Sequence, residues 1–133
     1  YGDTLLNLEI EKMEKKFIDS KKDLFISVIE KEKVKHLPNL LINNKVEEYS
    51  KTKNIDFNFV DYGLMICNRE LFFPYEEQKK YIDLSKVLQD SIDINNIDYY
   101  PVNKRFFEIG NNESYSELDF KLKKVSLKEL WNE

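Results

Sequence analysis

Tyr1-Gly-Asp-Thr-Leu-Leu-Asn-Leu-Glu-Ile-Glu-Lys-Met-Glu-Lys-Lys-Phe17 sets the fold expectation for this 133-residue chain. Leu6, Ile10, Met13 and Phe17 recur at helical spacing, so the stretch from Asp3 to Phe17 reads as one amphipathic helix with a buried stripe. Asp3 stands one turn ahead of that stripe, which would hold its carboxylate in a fixed place. That carboxylate is either a metal ligand or an ordinary acid favoured by the positive end of a helix.

The helical period continues downstream. Leu24, Val28 and Ile29 predict a short helix within Asp23 to Lys35, and Pro38 at a first turn with Leu40, Leu41, Val46 and Tyr49 predicts another, to about Lys53. Ile55, Phe57 and Phe59 alternate, and Leu64 to Phe73 suggests a hairpin around Asn68-Arg69. Glu76 to Gln89 reads as a helix with Tyr81, Leu84, Val87 and Leu88 inward. Phe106 to Ile109, Gly110-Asn111-Asn112 and the alternating Leu118, Phe120 and Leu122 predict a β-hairpin. Ser126 with Glu129 three residues later is a capping box for a last short helix carrying Leu127, Leu130 and Trp131. The expected architecture is therefore mainly α, one domain over residues 1–133, with a small hairpin near the C-terminus.

Composition narrows the functional classes. With 41% hydrophobic and 14% aromatic residues the chain can fill one core. A net charge of -4 gives no global attraction to nucleic acid, and clusters such as Lys15-Lys16, Lys79-Lys80 and Lys121 to Lys124 are interleaved with acids, as on solvated helix faces. A single cysteine, Cys67, excludes an internal disulfide framework and fits a reducing intracellular compartment; its apolar run suggests core filler. One histidine, His36, leaves no histidine-based metal cluster. No apolar run is long enough to span a membrane, so no membrane partner is expected. The first residue is Tyr rather than Met, which suggests a fragment or processed form lacking upstream residues.

Among 25 acidic residues, Asp3, Asp90 and Asp93 form the candidate site. Asp90 and Asp93 are spaced to share one face of a helix. Joined by a third acid they would make an all-oxygen site suited to Mg²⁺, able to activate water for phosphodiester cleavage. From composition and spacing alone, solvated acids at helix ends are the preferred account of all three.

The order of three segments adds a resemblance. Tyr1-Gly2-Asp3-Thr4-Leu5-Leu6-Asn7 is similar to the second half of the ribonuclease III signature. Leu37-Pro38-Asn39-Leu40-Leu41-Ile42-Asn43-Asn44-Lys45 resembles that family's next block, and Lys86-Val87-Leu88-Gln89-Asp90-Ser91-Ile92-Asp93 its block of metal-binding acids. The resemblance implies a helical domain that acts as a homodimer or beside a paired ribonuclease III-like domain on structured or double-stranded RNA. It makes Asp3, Asp90 and Asp93 catalytic and metal ligands for Mg²⁺. Asp93 replaces a longer Glu, and Ile94-Asn95-Asn96-Ile97 replaces small residues. Those departures imply a degenerate member serving as a structural or RNA-contacting subunit of a mitochondrial or cytoplasmic ribonucleoprotein. An active Mg²⁺-dependent endoribonuclease is the alternative within the family. A small acidic α+β interaction or immunity protein, binding a basic protein partner, is the alternative outside it.

Overall fold

The computed structural model describes residues 2–52, 56–76, 81–127 and 129–131. They form an α/β fold built on a five-stranded mixed sheet. Its elements are β1 (Thr4–Leu5), α1 (Ile10–Ser20), β2 (Leu24–Glu30), β3 (Leu40–Asn43), β4 (Lys45–Tyr49), β5 (Phe59–Cys67), the single turn α2 (Phe73–Glu76), α3 (Leu84–Asp93), β6 (Ile97–Val102), β7 (Phe107–Glu108) and α4 (Asn112–Leu122). The sheet order is β4-β3-β5-β2-β6, and β1 pairs separately with β7. β6 runs parallel to β2, and the other pairings are antiparallel.

The expectation of a mainly helical, ribonuclease III-like domain is thus overturned, and β2 shows why. Leu24-Phe25-Ile26-Ser27-Val28-Ile29 is buried at every position. Leu24, Ile26 and Val28 join Leu40, Ile42, Val46 and Leu88 in one core cluster, with Ile92 of α3 packed against it. On the opposite face Phe25 meets Phe17 of α1, with ring centroids 6.2 Å apart, and Ile29 packs with Val60, Tyr62, Val102 and Phe106. A strand covered on both faces needs a continuous apolar run rather than alternation, and such a run imitates a buried helix in sequence.

The second and third expected helices are therefore strands. Leu40-Leu41-Ile42 and Val46 belong to a hairpin whose tip is Asn44, at φ 64°, in the left-handed region that Asn tolerates. The side-chain amide of Asn58 extends the sheet by accepting from Ile42 N at 2.9 Å and donating to Ile42 O at 2.8 Å. Ile55 lies outside the described residues, Phe57 is buried, and Phe59 opens β5. The hairpin expected around Asn68-Arg69 is instead the end of β5, followed by a 3₁₀ turn at Arg69–Phe72. Cys67 is exposed at that strand end and fills no core.

Two helices survive with shifted bounds. α1 begins at Ile10, with Met13 fully buried, while Thr4 and Leu5 are drawn into pairing with Glu108 and Phe107. α3 is capped by Asp83, whose side chain accepts from Ser85 N at 2.8 Å, and it buries Val87 and Leu88. Tyr81 precedes it, 92% exposed, and residues 77–80 of the expected helix, with Lys79-Lys80, lie outside the described set. Only half of the expected C-terminal hairpin exists, because Leu118, Phe120 and Leu122 lie on α4, where Leu118 alone of the three is buried. The capping-box bonds form, with Ser126 N and Oγ donating to Glu129 Oε2 at 2.9 and 2.6 Å, but they close a turn rather than a helix.

Asp23 ties three strand ends together. Its carboxylate accepts from Asn68 Nδ2 at 2.6 Å and from Asn96 Nδ2 at 2.8 Å, linking the approaches to β2 and β6 with the exit from β5. These amide donors, Asn96 foremost, hold its carboxyl below the usual value of 3.8. Because the folded pKa is depressed, this stabilisation is present in full above the unfolded value and is lost as pH falls through the folded one. Asp23→Asn replaces one acceptor oxygen with an NH2 group that faces an amide donor, and is expected to cost about 1–3 kcal/mol near neutrality. Urea unfolding at neutral pH and near pH 2 checks this, since the gap between variant and parent should shrink in acid.

Candidate functional site

Three consecutive residues of β5 create the site. Ile26 pairs with Met65 and Val28 with Asp61, so Tyr62, Gly63 and Leu64 stand opposite the single residue Ser27. This bulge is made possible by Gly63 at φ 97°, a conformation that side-chain-bearing residues rarely adopt. Ser27, fully buried in β2, serves the displaced backbone: its Oγ donates to Leu64 O at 2.7 Å and accepts from Leu64 N at 3.3 Å. The buried Tyr62 hydroxyl meets Asn7, accepting from its N–H at 3.0 Å and donating to its carbonyl at 3.3 Å, and so fixes the segment after β1.

The bulge also holds Asp61. Its Oδ1 accepts from Gly63 N at 2.8 Å, and its own N–H donates to Asn39 Oδ1 at 2.8 Å. Burial pushes the Asp61 carboxyl above the ordinary carboxylate range, opposed by the Gly63 N–H.

Asp61 lines a cleft of about 330 Å³ together with Asp3, His36, Asn39 and Glu108. The β1–β7 ribbon supplies two of these acids. Thr4 lies opposite Glu108, and Ile109 N donates to Asp3 O at 2.8 Å. Gly110 lets Asp3 sit close, since a Cβ there would stand 3.1 Å from Asp3 Oδ2. His36 packs its ring on Phe106, centroids 4.6 Å apart, and places Nε2 3.0 Å from Glu108 Oε1. Its Nδ1 is buried and has no hydrogen-bond partner among the described residues. His36, Phe106 and Glu108 also border a second cleft of about 250 Å³ that runs toward Arg105 and the start of α4.

Of the acids expected from sequence, Asp3 lines the cleft at the bulge. Asp90 lines a different one, beside Asp23, Glu70 and Tyr75. Asp90 accepts from the Tyr75 hydroxyl at 2.6 Å and from Lys86 Nζ at 2.8 Å, which lowers its pKa, Lys86 being the larger influence. The same contact raises the Tyr75 hydroxyl to about 12, after the effect of its burial. Asp93 accepts from Gln89 Nε2 at 2.8 Å. Among the described residues no group of three or more His, Cys, Asp or Glu is placed to hold a metal ion, and no helix is long and apolar enough to cross a membrane. Asp61 and Glu108 were not singled out in the sequence; Gly63 in the middle of an apolar strand was their one local signal.

No protein-family model matches the sequence, and no curated protein does. Solved structures do match. A crystal structure from Bacillus anthracis, assigned as a glucose-1-phosphate thymidylyltransferase and in complex with a sucrose, superposes with a TM-score of 0.74 over 98% of this chain at 14% identity. The chain shares that α/β fold. It spans 56% of the length of the Bacillus chain. The ribonuclease III-like identity and the degenerate RNA-contacting role expected from it are corrected by this result. The helical scaffold on which both rested is replaced by an α/β fold with a five-stranded mixed sheet.

Proposed function

We propose that this chain builds the sugar-phosphate-binding face of a sugar nucleotidyltransferase-like protein. The convergence of Asp3, Asn39, Asp61 and Glu108 on one cleft carries this reading. Carboxylates accept hydrogen bonds from sugar hydroxyls and an amide side chain both donates and accepts, which suits a polyol. The cleft volume lies at the lower end of the range for small-molecule sites, in keeping with a monosaccharide. The fold likeness to a protein solved with a sugar supports the same class of ligand.

Mg²⁺ fits this reading through Asp3 and Glu108. The ion is commonly held by one or two carboxylates with substrate phosphates completing its shell, so a site with fewer than three protein acids is adequate. When bound, it would neutralise charge on the phosphate. Asp90 and Asp93 take no part in this, because both are engaged along α3.

Calorimetric titration of the full-length protein with hexose 1-phosphates in Mg²⁺ tests the reading. Saturable binding is expected, weakened about 10–100-fold in Asp3→Ala. Absence of binding by every hexose 1-phosphate, with the metal present, would exclude it.

A further inference from the structure

Asp3 and Glu108 reach the cleft with unequal support. The shorter Asp3 accepts from Thr4 Oγ1 at 3.2 Å and lies against Gly110. Glu108 carries its carboxylate on a longer, freer side chain, and β7 fixes only its backbone, opposite Thr4. Among the described residues one side chain holds that carboxylate: His36, with Nε2 3.0 Å from Oε1. His36 belongs to the stretch between β2 and β3, and its ring is set by Phe106, centroids 4.6 Å apart. In a neutral imidazole one nitrogen donates and the other accepts. Nε2 faces an oxygen that accepts, so Nε2 carries the proton and Nδ1 is a bare acceptor. Nδ1 is buried and has no hydrogen-bond partner among the described residues. A buried acceptor left unsatisfied costs stability. The ring is therefore placed for its contact with Glu108 and not for its own hydrogen bonding.

Resting on the reading of Asp3 and Glu108 as the Mg²⁺ pair of a sugar-phosphate site, we infer that His36 is the positioning residue of that pair. Its Nε2–H fixes one oxygen of Glu108 and leaves the second for the ion. Donors behind a metal-binding carboxylate orient it, and their removal weakens metal affinity about 10–100-fold. The contact matters more for Glu108 than it would for Asp3, because the longer side chain has more rotamer freedom to lose.

Mg²⁺ binding to the full-length protein, with the most tightly bound hexose 1-phosphate at saturation, would be measured by calorimetry for the parent and for His36→Gln, His36→Asn and His36→Leu, beside urea unfolding of each. The amide nitrogen of Gln stands where Nε2 does and that of Asn where Nδ1 does. The expected result is near-parental affinity in His36→Gln and a loss of about tenfold or more in His36→Asn and His36→Leu. The parent supplies a second readout that needs no variant. His36 is the one histidine of the chain, so its ring gives unambiguous ¹⁵N resonances. In mildly alkaline buffer these should show the proton on Nε2, with a Mg²⁺-induced shift larger at Nε2 than at Nδ1. Equal Mg²⁺ affinity in all the proteins, losses that follow the urea midpoint instead of the Gln–Asn distinction, or a proton on Nδ1 overturns the inference while the sugar-phosphate reading stands. Binding of hexose 1-phosphate by a parent that takes up no Mg²⁺ does the same. Failure of the parent to bind any hexose 1-phosphate in Mg²⁺ removes that reading and the inference with it, and the two failures are thereby told apart.

Discussion

Ile26→Ala is expected to lower the unfolding free energy by about 2–5 kcal/mol, the range for truncating a fully buried aliphatic side chain. Ile26 is fully buried in β2, which is hydrogen-bonded on both edges; its Cα partners are Met65 of β5 and Tyr99 of β6. Its side chain belongs to the cluster that joins β3, β4 and β6 to Leu88 of α3. The cavity left by truncation would be walled by three strands and a helix, so little collapse can fill it. Ile18 provides the control: it lies on α1, 67% exposed, and Ile18→Ala should stay within about 0.5 kcal/mol of the parent. Urea unfolding checks both through the midpoint, with an unchanged slope showing that the denatured state is not the source. Equal effects at the two positions would contradict a central strand covered on both faces.

The same strand explains what could and could not be read from the chain. A run such as Leu24 to Ile29 carries no period of its own, so picking out Leu24, Val28 and Ile29 produces a helix by selection. Its enrichment in β-branched and aromatic residues, at four of six positions, was the better guide. α1 and α3 were legible because each has a true apolar stripe, Met13 and Phe17 in one and Val87 and Leu88 in the other. Alternation misled at Leu118, Phe120 and Leu122, because Phe120 is 60% exposed and the pattern arose on the surface of a helix. Asp3 was expected to be held by the buried stripe of a helix, but it lies exposed just ahead of β1, and α1 begins only at Ile10. Its neighbours Asp61 and Glu108 were not legible, because they reach it through a β-bulge and through a two-residue ribbon that joins distant parts of the chain. Local periodicity has no access to such pairings, and block order alone placed Asp3 with Asp90, which lines another cleft.

Gly63→Ala is expected to have the largest combined effect on stability and binding. At φ 97° a Cβ meets the adjoining backbone, a strain of about 1–3 kcal/mol if the bulge is kept. If the strand relaxes instead, the Gly63 N–H leaves Asp61 Oδ1, and the bonds of Ser27 to Leu64 and of Tyr62 to Asn7 are disturbed together. Either route changes the cleft, the first by strain and the second by releasing the half-buried Asp61. The control is Gly2→Ala, where a new Cβ has nothing within 4 Å and the change should stay within about 0.5 kcal/mol. Ser27→Ala should cost about 1–3 kcal/mol by leaving both backbone groups of Leu64 without their partner. Because Ser27 and Gly63 support one bulge, the double variant should lose less than the sum of the two. Additive losses with sugar-phosphate affinity unchanged in Gly63→Ala would mean that the bulge is incidental to the site. Subadditive losses accompanied by weakened binding would mean that the conformation of one glycine sets both the packing of the sheet and the position of Asp61.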